Sequence, residues 1–84
     1  MNKITVFIVS PGQERAKDWA NQQGLAYHPA FRWRYVYDPF DLQGCMRPMV
    51  FMLPGWWKRP DADELRDQLR VREAVCIHTS EEVT

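Results

Sequence analysis

The sequence has no hydrophobic run long enough to span a membrane. Its longer apolar runs, such as Val6–Val9 and Met49–Leu53, fall far short of the ~20 residues that a membrane helix needs. A basic start followed by an apolar stretch and a small-residue cleavage site is also missing, so no signal peptide is expected. These absences argue against a membrane protein and predict a cytoplasmic location.

The chain also lacks an excess of either charge and has few metal-binding side chains. Its 11 basic and 11 acidic residues give a net charge of zero, which argues against a general nucleic-acid-binding protein. Two cysteines do not make a disulfide scaffold, and with two histidines and no pair at ligand spacing they predict no metal site. The phosphate-binding motifs GxGxxG and GxxxxGK(S/T) are absent, so no cofactor is predicted.

Aromatic residues are what the sequence has in quantity, at 13% of its 84 residues. Large rings are an efficient way to build a small core. A domain of this length nevertheless buries only a little over ~60% of its unfolded surface. We therefore expect some rings at the surface, where they favour a protein partner or a second copy of the chain.

The apolar pattern and the turn residues predict four strands and two helices. Ser10 is expected to cap the first helix, with Gln13 completing a capping box and Gly24 ending the helix. Asp61 and Glu64 form the same pattern at the second helix. The predicted strands are 4–9, 31–37, 49–53 and 74–77, and the predicted helices are 11–23 and 62–73.

The alternation of strands and helices predicts an α/β fold. Strand–helix–strand units imply parallel pairing through right-handed crossovers. We expect one small Rossmann-like domain, with a four-stranded, mostly parallel sheet in the order 2-1-3-4 and two main helices. The domain should cover residues 1–79, followed by a flexible polar tail at 80–84. Asp38 and Gly44 should bound a single helical turn, and Cys76 should lie in the core of the last strand.

The loops that follow the first and third strands are the predicted ligand site. In an open parallel sheet, ligands bind beyond the carboxyl ends of the strands, where the strand order reverses. A tryptophan here can stack on a base or sugar, while Lys58 or Arg59 meets a phosphate. Alternatively, the Pro-Gly turns only end strands and the tryptophans close the edge of the core. The candidate ligand-binding residues are Ser10, Gly12, Gly55, Trp56, Trp57, Lys58 and Arg59.

Adjacent loop residues rarely both point inward, and this gives a specific expectation for the tryptophan pair. One ring of Trp56 and Trp57 should cap the core between the third strand and the second helix. The other should be exposed beside Lys58 and Arg59.

Residues 50–69, VFMLPGWWKRPDADELRDQL, and 4–12, ITVFIVSPG, resemble segments of nucleoside 2-deoxyribosyltransferase-like proteins. The resemblance implies nucleoside or nucleotide binding, and it places Glu64 at the position of the family's nucleophile. The alternative role of Glu64 is to cap the second helix. The whole chain also resembles small α/β proteins of unknown function encoded by bacteriophages of actinobacteria.

The strand FRWRYVY carries the candidate interface. Its rings alternate with Arg32 and Arg34, so the two residue types must face opposite sides of the sheet. A platform for single-stranded nucleic acid needs rings and arginines on one side, and this pattern disfavours it. We expect the rings inward or at a protein interface and the arginines in solvent. The candidate interface residues are Phe31, Trp33, Tyr35 and Tyr37.

Three functions from different classes fit these observations. The preferred one is a small interaction module, a phage-encoded accessory protein of the host cytoplasm that docks on another protein or forms a homodimer. It needs no catalytic constellation, and the sequence assembles none beyond Glu64. The alternatives are a nucleotide- or nucleoside-binding protein and, less favoured, a nucleic-acid accessory factor.

Overall fold

A computed structural model describes residues 3–79, so the predicted tail at 80–84 lies outside the described residues. The fold is α/β, with a four-stranded parallel sheet in the order β2-β1-β3-β4, as the sequence predicted. The strands are β1 (Ile4–Val9), β2 (Phe31–Tyr35), β3 (Met49–Met52) and β4 (Val75–His78), and the helices are α1 (Gln13–Gln22) and α2 (Ala62–Val71).

Each face of the sheet is covered by one helix. On one face, Leu65 and Leu69 of α2 join a buried cluster with apolar side chains of β1 and β3. On the other face, the small side chains of Ala16 and Ala20 allow α1 to pack closely on Ile8. β1 is therefore buried on both faces from Val6 to Val9, and β3 has one buried and one half-buried face, which explains why their sequences are apolar without alternation.

Neither helix begins with the predicted capping box. The N-cap of α1 is Gly12, and the Ser10 hydroxyl donates to the Gly12 carbonyl at 2.6 Å instead of accepting from the first turn. At α2, the Asp61 carboxylate accepts from Arg59 and caps no backbone N–H. Both predictions are wrong because each side chain bonds to another group: the Ser10 hydroxyl to the Gly12 carbonyl, and the Asp61 carboxylate to the Arg59 guanidinium.

The predicted ends of the other elements hold better. Gly24 ends α1 in the left-handed conformation, at φ 73°. Asp38 caps the 3₁₀ turn Pro39–Leu42 and forms a capping box with Asp41. The second helix stops at Val71, two residues before its predicted end, because Glu73 adopts a positive φ of 51° and turns the chain into β4.

The aromatic strand β2 is shorter than predicted. Its rings are half-buried and its two arginines are exposed, so the predicted separation of rings and arginines is confirmed. The strand ends at Tyr35, and Val36 is fully buried in the core on the α2 side of the sheet. Tyr37 lies beyond the strand and is 58% exposed, and its backbone N–H donates to the Asp41 carboxylate.

Candidate functional site

A groove of about 390 Å³ lies at the carboxyl ends of β1 and β3, where the sequence analysis placed the ligand site. Its lining brings together the loop after β1, the first turns of α1 and the loop after β3. The lining residues are Pro11, Arg15, Pro54, Gly55, Trp57 and Lys58. Two cations and one large ring around one groove suit a ligand that carries an anionic group and a flat apolar group.

The backbone conformation at position 55 requires glycine, whether or not a ligand binds nearby. It adopts the left-handed conformation at φ 88°, and a Cβ built there would lie 2.9 Å from Cγ of Pro11. The two loops that form the groove thus touch through a position that only glycine fits. A substitution at Gly55 would strain the fold, so it cannot separate ligand binding from folding.

The two adjacent tryptophans differ in burial, as predicted, although their ring centroids are only 6.4 Å apart. Trp56 is 7% exposed and belongs to the core cluster beneath α2. Trp57 is 53% exposed and lines the groove next to the exposed Lys58. A short 3₁₀ helix, Trp56–Lys58, sets this division, because consecutive residues on it point about a third of a turn apart.

Of the two cations that the sequence analysis offered for a phosphate, Lys58 lines the groove and Arg59 does not. Its side chain is only 7% exposed. The guanidinium forms a bidentate pair with the Asp61 carboxylate, with both N···O distances at 2.9 Å. It also donates to the carbonyls of Val36 at 2.8 Å and Tyr37 at 2.7 Å. The side chain joins the end of β2 to the loop before α2, and its donors are already used.

The remaining predicted residues contribute less to the groove. Ser10 is completely buried, and its hydroxyl bonds within the loop to the Gly12 carbonyl. Gly12 is half-buried at the start of α1. Glu64 is exposed in the first turn of α2 and is not among the groove-lining residues, so the structure gives it no position against a ligand there.

The feature that sequence analysis missed is the outer strand β4. All four of its residues are exposed, including Val75 at 51% and Ile77 at 38%. Cys76 is exposed as well, so its predicted place in the core is wrong. No side chain of β4 belongs to either of the two core clusters that the helices form with β1 and β3. One feature of the sequence is typical of an edge that can pair with another strand: Val75 to His78 contains no Lys, Arg, Asp, Glu or Pro.

The two cysteines in the described part of the chain are free thiols in different surroundings. Partial desolvation raises the pKa of the Cys76 thiol above its ordinary value, so the neutral, weakly nucleophilic form dominates at pH 7. Cys45 is half-buried and packs against the core. Between residues 3 and 79, no three His, Cys, Asp or Glu side chains group in a way that could hold a metal ion.

Comparison with known protein families, with curated proteins and with solved structures gives no match for this chain. No helix within residues 3–79 has the length and apolar character to cross a membrane.

Proposed function

We propose that this protein is a small interaction module that self-associates through the free edge of β4. The proposal rests on the position, the exposure and the composition of this strand. It lies at the end of the sheet, its side chains are exposed on both faces, and it contains no Lys, Arg, Asp or Glu. An edge strand without charged side chains or proline can pair its outward N–H and C=O groups with another strand.

The opposite edge of the sheet supports this choice by contrast. β2 exposes Arg32 and Arg34, and charged side chains on an edge strand discourage pairing with another chain. Its rings are half-buried, and Trp33 and Tyr35 pack in the cluster beneath α1. Among the aromatic residues that the sequence suggested for an interface, Tyr37 has the most accessible ring. The apolar side chains of β4 make it the better contact edge.

Ile77→Lys should weaken self-association by about 100-fold. Each copy would lose a contact-edge isoleucine, and a burial contribution of ~1.5 kcal/mol lost in both copies amounts to about two powers of ten. Sedimentation equilibrium across micromolar concentrations measures the dissociation constant, and circular dichroism checks that the variant is folded. The matched control is Tyr27→Lys, which adds the same charge at a side chain that is 91% exposed near the other edge.

The proposal fails if the unmodified protein sediments as a 10 kDa monomer at high micromolar concentration. It also fails if Tyr27→Lys dissociates the protein as strongly as Ile77→Lys does.

A second candidate function, binding of a nucleotide-like ligand, is favoured by the groove at the carboxyl ends of β1 and β3. Trp57 offers a half-exposed ring there, and Lys58 offers an exposed cation beside it. This combination agrees with the resemblance to nucleoside 2-deoxyribosyltransferase-like proteins. It supports binding of a base or sugar that carries a phosphate, without a catalytic role for Glu64.

A deoxynucleoside monophosphate at about 100 times its dissociation constant should stabilise the protein by about 2.7 kcal/mol, seen as a rise in Tm of several degrees. Trp57→Ala and Lys58→Ala should each remove most of this rise, because they delete the stacking ring and the phosphate-facing charge. Lys17→Ala, an equal loss of charge on the exposed surface of α1, is the control. No rise with the unmodified protein, or an equal rise in all variants, rejects this function.

A further inference from the structure

The backbone of β4 presents a defined set of free groups at the sheet edge. The N–H of Val75 donates to the Pro48 carbonyl at 2.8 Å, and the N–H of Thr79 donates to the Met52 carbonyl at 3.0 Å. These residues and Ile77 therefore direct their backbone groups toward β3. Because alternate residues of a strand point to opposite sides, the N–H and C=O groups of Cys76 and His78 point outward.

A closed dimer with two-fold symmetry pairs two identical strands antiparallel, and two registers pair the outward groups of Cys76 and His78 with residues that the structure describes. In one register, Cys76 lies opposite the partner's His78, and the two residues exchange both of their hydrogen bonds. The symmetry repeats the exchange on the other side of Ile77. Every outward N–H and C=O group of Cys76 and His78 then has a partner.

In the other register, Cys76 lies opposite the partner's Cys76, and His78 lies opposite the partner's Ala74. The N–H of Ala74 already donates to the Leu69 carbonyl at 2.9 Å, where the chain leaves α2. It cannot also serve His78, so the His78 carbonyl of each copy would stay unpaired at the contact. Leaving such a group without a partner in an interface is costly, and this disfavours the register.

We infer that two copies of the chain join their sheets through antiparallel β4 strands, with the two-fold axis at Ile77. This inference rests on the proposed function and specifies its geometry. The two four-stranded sheets become one continuous sheet, in which the β4 edge of each copy is paired with that of the other.

The register determines which residues of the two β4 strands face each other and how far apart they lie. Ile77 faces its own symmetry mate in a pair without direct backbone hydrogen bonds, where Cα atoms are ~4.5 Å apart. That spacing lies within the range that a disulfide can bridge. The two Cys76 residues are offset by two positions along the strands, at about 8 Å, which is beyond that range.

Disulfide trapping tests the register directly. One variant carries Ile77→Cys together with Cys45→Ala and Cys76→Ala, and a second carries only Cys45→Ala and so keeps Cys76. Both are equilibrated in a glutathione redox buffer and separated on a non-reducing gel. A Tyr27→Cys variant in the same cysteine-free background measures linkage from random collision, because this side chain is 91% exposed. We expect at least tenfold more covalent dimer for Ile77→Cys than for either other chain.

The possible outcomes separate the register from self-association itself. Efficient linkage through Cys76, with little through Ile77→Cys, overturns the register in favour of the alternative. Linkage at the collision level for both, while the reduced proteins sediment as dimers, overturns both of these β4 registers and leaves self-association intact. Reduced proteins that sediment as monomers overturn the proposed function as well.

Discussion

Replacing Arg59 with alanine should destabilise the protein by about 3 kcal/mol, the lower end of the cost of breaking a buried ion pair from one side, because the Asp61 side chain is 23% exposed. The substitution leaves the Asp61 carboxylate without its bidentate partner. It also removes the donors to the carbonyls of Val36 and Tyr37. Polar groups stranded in this way keep their desolvation cost and lose the bonds that offset it. For a domain this small, the loss is a large fraction of the total stability.

Urea unfolding measures the effect, and the adjacent residue supplies the control. Lys58→Ala removes the same charge from an exposed side chain and should change the free energy of unfolding by less than about 0.5 kcal/mol. Arg59→Lys should recover little, because an ammonium cannot form the bidentate pair and reach the carbonyls together.

The double variant Arg59→Ala/Asp61→Ala separates the ion pair from the carbonyl contacts. It should be less destabilised than the sum of its single variants, because no carboxylate is left unpaired. A cost for Arg59→Ala as small as that for Lys58→Ala would show that Arg59 does not hold these segments together.

Trp56→Ala should also cost about 3–5 kcal/mol, as a large ring deleted from a packed core does. Trp56 is 7% exposed and packs in the cluster that contains Val9, Met52 and Leu65. The Arg66 guanidinium lies 5.1 Å from the centre of its ring, so a cation–π contact is lost as well. Equilibrium denaturation at a fixed protein concentration measures the loss.

The neighbouring Trp57 is the matched comparison, since the same side chain is removed one residue away. Its ring is 53% exposed, and Trp57→Ala should cost about 1 kcal/mol or less. If both variants lose several kcal/mol, both rings are structural, and the groove next to Trp57 loses its main argument as a ligand site.

Much of the fold could be read from the sequence because its signals are local. Apolar runs such as ITVFIV and MVFM mark strands that are covered on both faces, and Gly24 ends a helix through its own backbone freedom. The alternation of strands and helices then restricts the sheet to very few topologies. The loops at the strand order reversal follow from that topology, so the groove that contains Trp57 and Lys58 was also predictable.

The roles of Ser10 and Arg59 were not predictable in the same way. A serine before Pro-Gly and a basic pair after two tryptophans match common local patterns, yet Ser10 bonds within its own turn and Arg59 reaches across the fold. The Arg59 contact with the Val36 carbonyl joins residues that lie 23 positions apart in sequence. No local pattern records such a contact.

The sequence by itself determined the parallel α/β topology, the division of the tryptophan pair and the place of the groove, because each depends on spacing between near neighbours. Only the tertiary structure decided which strand stays uncovered. An apolar segment such as Val75–His78 has the same local preference at the centre of a sheet as at its edge. Burial depends on what packs above and beside the strand: both core clusters form around side chains of β1 and β3, and neither includes a side chain of β4.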